Sequence, residues 1–153
     1  MPATGAPEFG WLRRVVATLV AFGLLGIAAE LVLIDHVENL SQLAPVIVLP
    51  VAAVMLGPVA FGSAPWNVVA LRGALAVVVL AGIAGVGLHV YESWEFQAEV
   101  DPSLGGAERA WAALRAQSPP SLAPGQIALL GLLGLAVAGP ATAGRPPAFN
   151  KEP

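Results

Sequence analysis

The sequence contains no cysteine and few charged residues, and both shortages exclude certain classes of protein and of functional site. Without cysteine there are no disulfides, no thiolate nucleophiles and no thiolate metal ligands. Only 11% of the 153 residues are charged, against roughly 25% in soluble domains, while 57% are hydrophobic. Too few ions remain to cover a water-facing surface, so we expect a protein whose main partner is the lipid bilayer.

The motifs of common enzymes and of nucleic-acid-binding proteins are also missing. The chain has no G-x-S-x-G elbow, no glycine-rich phosphate loop with a lysine and no H-E-x-x-H sequence. It has no basic run, and its formal net charge is -3, which argues against binding to a phosphate backbone. We therefore expect a protein that is not an enzyme and that does not bind nucleic acid.

Long hydrophobic runs are abundant instead. A helix needs about 20 residues to cross the hydrocarbon layer of a bilayer, which is about 30 Å thick. Four stretches of this kind follow one another along the chain: residues 15–34, 43–61, 68–90 and 126–143. The sequence thus predicts a single integral membrane domain, residues 1–153, with an all-α fold and four transmembrane helices.

The basic residues predict the orientation of these helices, because cytoplasmic ends of membrane helices are enriched in lysine and arginine. With the N-terminus inside, five basic residues lie at cytoplasmic ends and only Arg109 and Arg115 lie outside; the five are Arg13, Arg14, Arg72, Arg145 and Lys151. Most acidic residues then lie outside. We expect a multi-pass protein of a bacterial inner membrane with both termini in the cytoplasm.

Residues 91–125 form the only sizeable segment outside these stretches. Its first part extends the third helix into water, and residues 101–106 form a turn. Residues 107–117 are predicted to form a short amphipathic helix, with Trp111 on its apolar side. Two placements are open for it: flat on the bilayer with its tryptophan among the headgroups, or packed onto the ends of the membrane helices.

The two halves of the chain share four short patterns in the same order, which indicates an internal repeat. A Gly-Ile-Ala sequence precedes a histidine in both halves, at Gly26 and at Gly82. Leu-Ala-Pro and Gly-Pro flank the helix that follows in each half. A duplicated pair of helices returns to its starting side, so the two hairpins would be parallel and related by a pseudo-two-fold axis along the membrane normal.

The two histidines are the best candidates for chemistry. His89 and Glu92 are three residues apart and share a helix face, and the repeat would place His36 at the same membrane level as His89. Imidazole and carboxylate ligands suit zinc, copper(II) or iron, so His36, His89 and Glu92 form a candidate metal site. Haem held between the two histidines is a sharper variant, and no cofactor is specified by the sequence itself.

Besides His89, two ionisable residues lie inside predicted membrane stretches. Glu30 lies about one turn from the outer end of the first stretch, and such acids often mark a path for ions or protons. Arg72 lies near the inner end of the third stretch, from which its long side chain reaches the headgroups. Ion movement through Glu30 is the weaker of the functional alternatives.

Three longer motifs resemble a group of small, uncharacterised bacterial four-helix integral membrane proteins. They are the acidic residue and histidine at 35–36, the E-F-x-x-E stretch at 95–99 followed by Pro102, and the L-A-P-G turn at 122–125. The resemblance implies the same four-helix fold but assigns no chemistry. This chain has Ser93 and Gln97 where the group has asparagine and glutamate, which weakens any ligand set built on the acidic stretch.

Together these observations predict a non-enzymatic membrane protein, an accessory subunit or scaffold of a membrane complex, whose partners are other membrane protein subunits. The alternative is a protein that handles a metal or haem through its two histidines.

Overall fold

The computed structural model describes residues 6–35, 40–63, 66–115 and 122–139. Throughout these ranges the ordered elements are α-helices, so the all-α expectation is confirmed for them. The five helices are α1 (Ala6–Leu33), α2 (Leu40–Ala60), α3 (Val68–Val100), α4 (Gly106–Leu114) and α5 (Leu122–Val137). The first three are long and apolar enough to cross a membrane, whereas α5 is apolar but only 16 residues long.

The helices extend beyond the hydrophobic stretches that predicted them. α1 begins at Ala6, well before residue 15, because arginine is a good helix former and the Arg13–Arg14 pair does not interrupt the helix. α2 and α5 also begin early, so the prolines expected to precede them lie inside: Pro45 in α2 and Pro124 in the first turn of α5. Pro124 removes no helical hydrogen bond because it is in the first turn, whereas Pro45 is the sixth residue of α2 and lacks the N–H that would donate to the carbonyl oxygen four residues earlier. Residues 140–143 of the fourth predicted stretch lie outside the described residues.

Local signals fix both ends of α3. At its start the side chain of Asn67 accepts a hydrogen bond from the backbone N–H of Ala70, at 2.9 Å, as an N-cap does. At its end Asp101 is extended, with φ -140° and ψ 90°. Pro102 explains this conformation, since a proline disfavours helical geometry in the residue before it. α3 therefore begins at the predicted residue and continues well past residue 90, as expected.

Helices α1, α2, α3 and α5 form a bundle in which α1 packs against α2 and α5, and α3 packs against the same two helices. Neighbours are antiparallel: Arg13, near the start of α1, reaches Val137 at the end of α5. Gly82, in the second half of α3, faces Pro124 at the start of α5. The most extensive contacts lie within two antiparallel hairpins, α1–α2 and α3–α5.

Glycines allow α3 and α5 to approach closely. A methyl group built on Gly82 would lie 2.5 Å from the backbone nitrogen of Ala128 and 2.7 Å from the carbonyl oxygen of Pro124. On the opposite helix, Gly131 faces Val79 in the same way. Small residues at such crossings let membrane helices gain van der Waals contact that larger side chains would prevent.

The centre of the bundle is apolar. Among the described residues every buried side chain is hydrophobic, and the largest fully buried ones are Leu24, Leu49, Leu56, Leu71 and Leu75. The outward faces are hydrophobic as well: Phe22 is 76% exposed, Val54 75% and Val69 82%. A bundle that is apolar on both its inside and its outside is the arrangement expected of a protein surrounded by lipid.

Candidate functional site

The bundle has two ends of different charge. One end, here called the basic end, holds the start of α1 with Arg13 and Arg14 and the start of α3 with Arg72. The other, the acidic end, holds the end of α1 with Glu30 and Asp35, and the second part of α3. The antiparallel packing brings residues that are distant in the sequence together at each end.

At the acidic end α3 projects beyond its contact with the start of α5. Pro124, in the first turn of α5, lies against Gly82 and Gly85 of α3, so the last fifteen residues of α3 extend beyond that contact. At 1.5 Å per residue this projection is about 20 Å long. The chain then reverses, and α4 packs back against α3. We call residues 91–115, which comprise the end of α3, the turn and α4, the arm.

The turn of the arm is held by two local hydrogen-bond sets. The backbone N–H and the hydroxyl of Ser103 both donate to Oδ1 of Asp101, at 3.0 and 2.6 Å. These two bonds, aided by the charge of Arg109, hold the pKa of the Asp101 carboxyl below its ordinary value. In the second set the backbone N–H of Gly105 donates to Glu108 at 3.2 Å and caps α4. The expected turn is confirmed for residues 101–105, and Gly106 is already the first residue of α4.

Arg109 joins α4 to α3. Its guanidinium carbon lies 5.4 Å from the centre of the Trp94 ring, and its Nη2 donates to the carbonyl oxygen of Leu104 at 3.2 Å. Its Nε is buried and has no hydrogen-bond partner among the described residues. Ala113, one turn further along α4, is fully buried. The side of α4 that faces α3 is therefore made of an arginine and alanines.

The bulky apolar residues of α4 point the other way. Trp111 is 61% exposed and Leu114 is 52% exposed, and the two are three residues apart on one face. Arg115 lies over the Trp111 ring, with its guanidinium carbon 5.7 Å from the ring centre. α4 thus turns its hydrophobic edge away from the protein, which is the opposite of what an amphipathic helix in a soluble domain does.

The α3 part of the arm carries an exposed stripe of acidic and aromatic residues. Glu92, Phe96 and Glu99 are four and three residues apart and all three are exposed, so they lie on one helix face. Trp94, which contacts Arg109, lies on a different face. We call the three residues the arm stripe. It combines two carboxylates with an aromatic ring that is 60% exposed.

One of the two candidate histidines can be placed. His89 Nδ1 lies 3.3 Å from a carboxylate oxygen of Glu92, which confirms that the two side chains meet on one face of α3. The Tyr91 hydroxyl donates to Glu95 one turn along the helix. His36 lies outside the described residues. Within the described part of the chain no three histidine, aspartate or glutamate side chains are close enough to hold a metal ion together.

The two ionisable residues of the membrane stretches lie on the surface of the bundle. Glu30 is exposed on α1, and Arg72 is exposed on α3. The buried residue nearest to Glu30 in sequence is Ala28, which packs in the core. The Glu30 side chain therefore lies on the outer surface of the described bundle, and ion movement through it stays a prediction.

An apolar groove of about 450 Å³ opens between α1 and α2. Ala28 and Ala29 form part of one wall, and Val46 and Pro50 form the other. Pro50 has no N–H to donate to the carbonyl oxygen of Val46, four residues earlier. The described residues that line the groove carry no acid, base or hydroxyl group.

Comparison with known protein families, with curated proteins and with solved structures finds no match for this chain. The resemblance drawn from its motifs therefore stays a prediction.

Two contacts could not be predicted from the sequence. Arg13 Nε donates to the carbonyl oxygen of Val137 at 2.7 Å, although 124 residues separate them. The guanidinium of Arg14 packs against Gly62, which lies two residues after the end of α2 and has φ +81°. The sequence uses both arginines only as basic residues that predict the orientation of the helices. Their spacing does not show that they also lie at the C-terminal ends of two neighbouring helices.

Proposed function

We propose that this protein is a non-enzymatic subunit of a membrane complex that crosses the bilayer four times and uses its arm to bind a partner subunit. One observation carries the proposal: α3 is a single helix of 33 residues, about 50 Å long, whereas the hydrocarbon layer is about 30 Å thick. Among the described residues the arm is the largest projection from the bundle, and it exposes Phe96 between two carboxylates.

The fourth crossing is supported by the path of α5. Its first turn lies against Gly82 and Gly85 of α3, and its last residue, Val137, accepts the hydrogen bond from Arg13 at the opposite end of the bundle. The helix neighbours are also those that a pseudo-two-fold axis would give, since α1 and α3 would be equivalent and each packs against α2 and α5. In this arrangement the basic end faces the cytoplasm and the arm lies outside.

Single cysteines test the orientation cleanly, because the natural chain has none. Ser63, between α2 and α3, and Ala107, in α4, are both exposed. We expect a membrane-impermeant maleimide to label Ala107→Cys in intact cells and Ser63→Cys only after lysis. Labelling of Ser63→Cys in intact cells, or protection of Ala107→Cys, would show that the proposed topology is wrong.

A second experiment tests the role of the arm. Solubilised in a mild detergent, the protein is expected to purify together with a larger membrane subunit, and the double variant Phe96→Ala/Glu99→Lys is expected to lose it. Leu80→Ala, on the exposed lipid-facing side of α3, is the matched control and should keep the partner. Recovery of the natural chain only as a free monomer would contradict the accessory role.

Metal binding is a second candidate function, favoured by the contact between His89 and Glu92 at the acidic end. His36 would have to supply a further ligand from the α1–α2 connection, and haem would require both histidines. Metal analysis and an absorption spectrum of the purified protein decide the question. Bound metal should disappear in His89→Ala and in His36→Ala but persist in Glu108→Gln; a metal-free natural protein would contradict this function.

A further inference from the structure

The hydrophobic edge of α4 needs an occupant, since Trp111 and Leu114 face away from the rest of the protein. Two kinds of surface could cover it: a partner protein, or the headgroup layer of the bilayer. The position of α4 along α3 distinguishes them. Arg109 contacts Trp94, six residues before the end of α3, and the chain reverses between these two residues. α4 therefore runs back along α3 towards the bundle.

The last turn of α4 reaches the level at which the hydrophobic part of α3 ends. Leu114 lies five residues beyond Arg109, or about 7 Å further towards the bundle. The same distance measured along α3 from Trp94 leads to His89, which ends the apolar stretch of residues 68–90. Tyr91 is exposed at this level on α3, and Leu122 is exposed at the start of α5. The edge of α4 thus reaches the level at which the exposed apolar surface of the bundle ends.

The chemistry of the edge suits the headgroup layer. Tryptophan is enriched at membrane interfaces because its ring is apolar and its N–H can reach water. Arg115 lies over the Trp111 ring and presents a guanidinium group that matches the phosphate common to all phospholipids. We infer that the last turn of α4 is inserted into the outer headgroup layer, with Trp111 and Leu114 buried among lipids and Arg115 at the lipid phosphates.

This inference rests on the four-crossing arrangement and adds a function for α4: it fixes the direction of the arm. With one side anchored in lipid and another packed on α3, the arm stripe is left facing the space in which a partner subunit would dock. The start of α4, with Glu108 in its first turn, lies at the far end of the arm in water.

Spin labels at single cysteines measure the depth of each end of α4 in vesicles of phosphatidylcholine that contain no other protein. Leu114→Cys and Ala107→Cys form a matched pair, since both positions are exposed on α4 and lie two turns apart. The label at 114 is expected to collide readily with oxygen and several-fold less with a water-soluble nickel chelate than the label at 107. Trp111→Cys, on the same edge, should behave like Leu114→Cys.

Equal exposure of positions 107, 111 and 114 to the nickel chelate would overturn the inference and assign the edge to a partner protein. Helical content by circular dichroism identifies any variant that fails to fold, and the three positions give independent readings. Failure of the topology itself would look different, because Ala107→Cys would then resist the impermeant maleimide in intact cells.

Discussion

Gly82 marks the tightest approach between α3 and α5, where one additional methyl group has no room. The neighbouring atoms are the backbone nitrogen of Ala128 and the carbonyl oxygen of Pro124, and backbone atoms cannot turn aside as a flexible side chain can. Gly87, five residues further along α3, has no atom within 4 Å of the position its methyl group would take. The two glycines thus have different roles on the same helix.

Gly82→Ala is expected to lower the free energy of unfolding by about 1–3 kcal/mol, because the two helices must move apart. Gly87→Ala is the control and is expected to raise the free energy of unfolding slightly, by about 0.5–1 kcal/mol, because alanine has fewer backbone conformations in the unfolded chain than glycine. Unfolding of both variants in detergent micelles, followed by circular dichroism, measures the difference. Equal stability of the two variants would contradict the close packing of α3 on α5.

The helices of the bundle were largely predictable as elements, but their contacts were not. The start of α3 at Val68 and its stop before Pro102 follow from local sequence, as do the turn near Asp101 and the short helix after it. Hydropathy does not predict the start of α1, because it reports where a chain is apolar and not where a helix begins. The hydrogen bond from Arg13 to Val137 depends on packing across the whole chain, which spacing in the sequence does not encode.

That hydrogen bond predicts a measurable role for Arg13 beyond its charge. In Arg13→Met the long apolar stem is retained but the donor to the last turn of α5 is lost. We expect a loss of about 1.5–3 kcal/mol of stability, the usual value of a hydrogen bond made by a charged group. Arg72→Met removes an equally basic but exposed side chain and should cost much less. Thermal unfolding in micelles compares them, and equal losses would show that only charge matters.

The bundle as a whole consists of two hairpins joined through the α2–α3 connection. The contacts between hairpins are α1 with α5 and α2 with α3, and the more extensive contacts lie within each hairpin. Helices that are each stable in lipid associate after insertion, so a break in the connection need not prevent assembly.

We therefore expect co-expressed fragments 1–63 and 64–153 to insert separately and to purify together through a tag on one of them. Arg13→Met in the first fragment removes the hydrogen bond between the hairpins and should reduce the amount of the second fragment that is recovered. Fragments that insert but never co-purify would show that the hairpins do not recognise each other.

The unbroken length of α3 has a mechanical consequence. Its first half packs against α2 and α5, and its last turns form part of the arm. The helix contains no proline between Val68 and Val100. In the proposed membrane arrangement, a tilt of this continuous helix would move the arm, and a force applied to the arm would be transmitted to the crossing of α3 and α5 at Gly82. A partner that binds the arm would thereby act on the helix packing at this crossing.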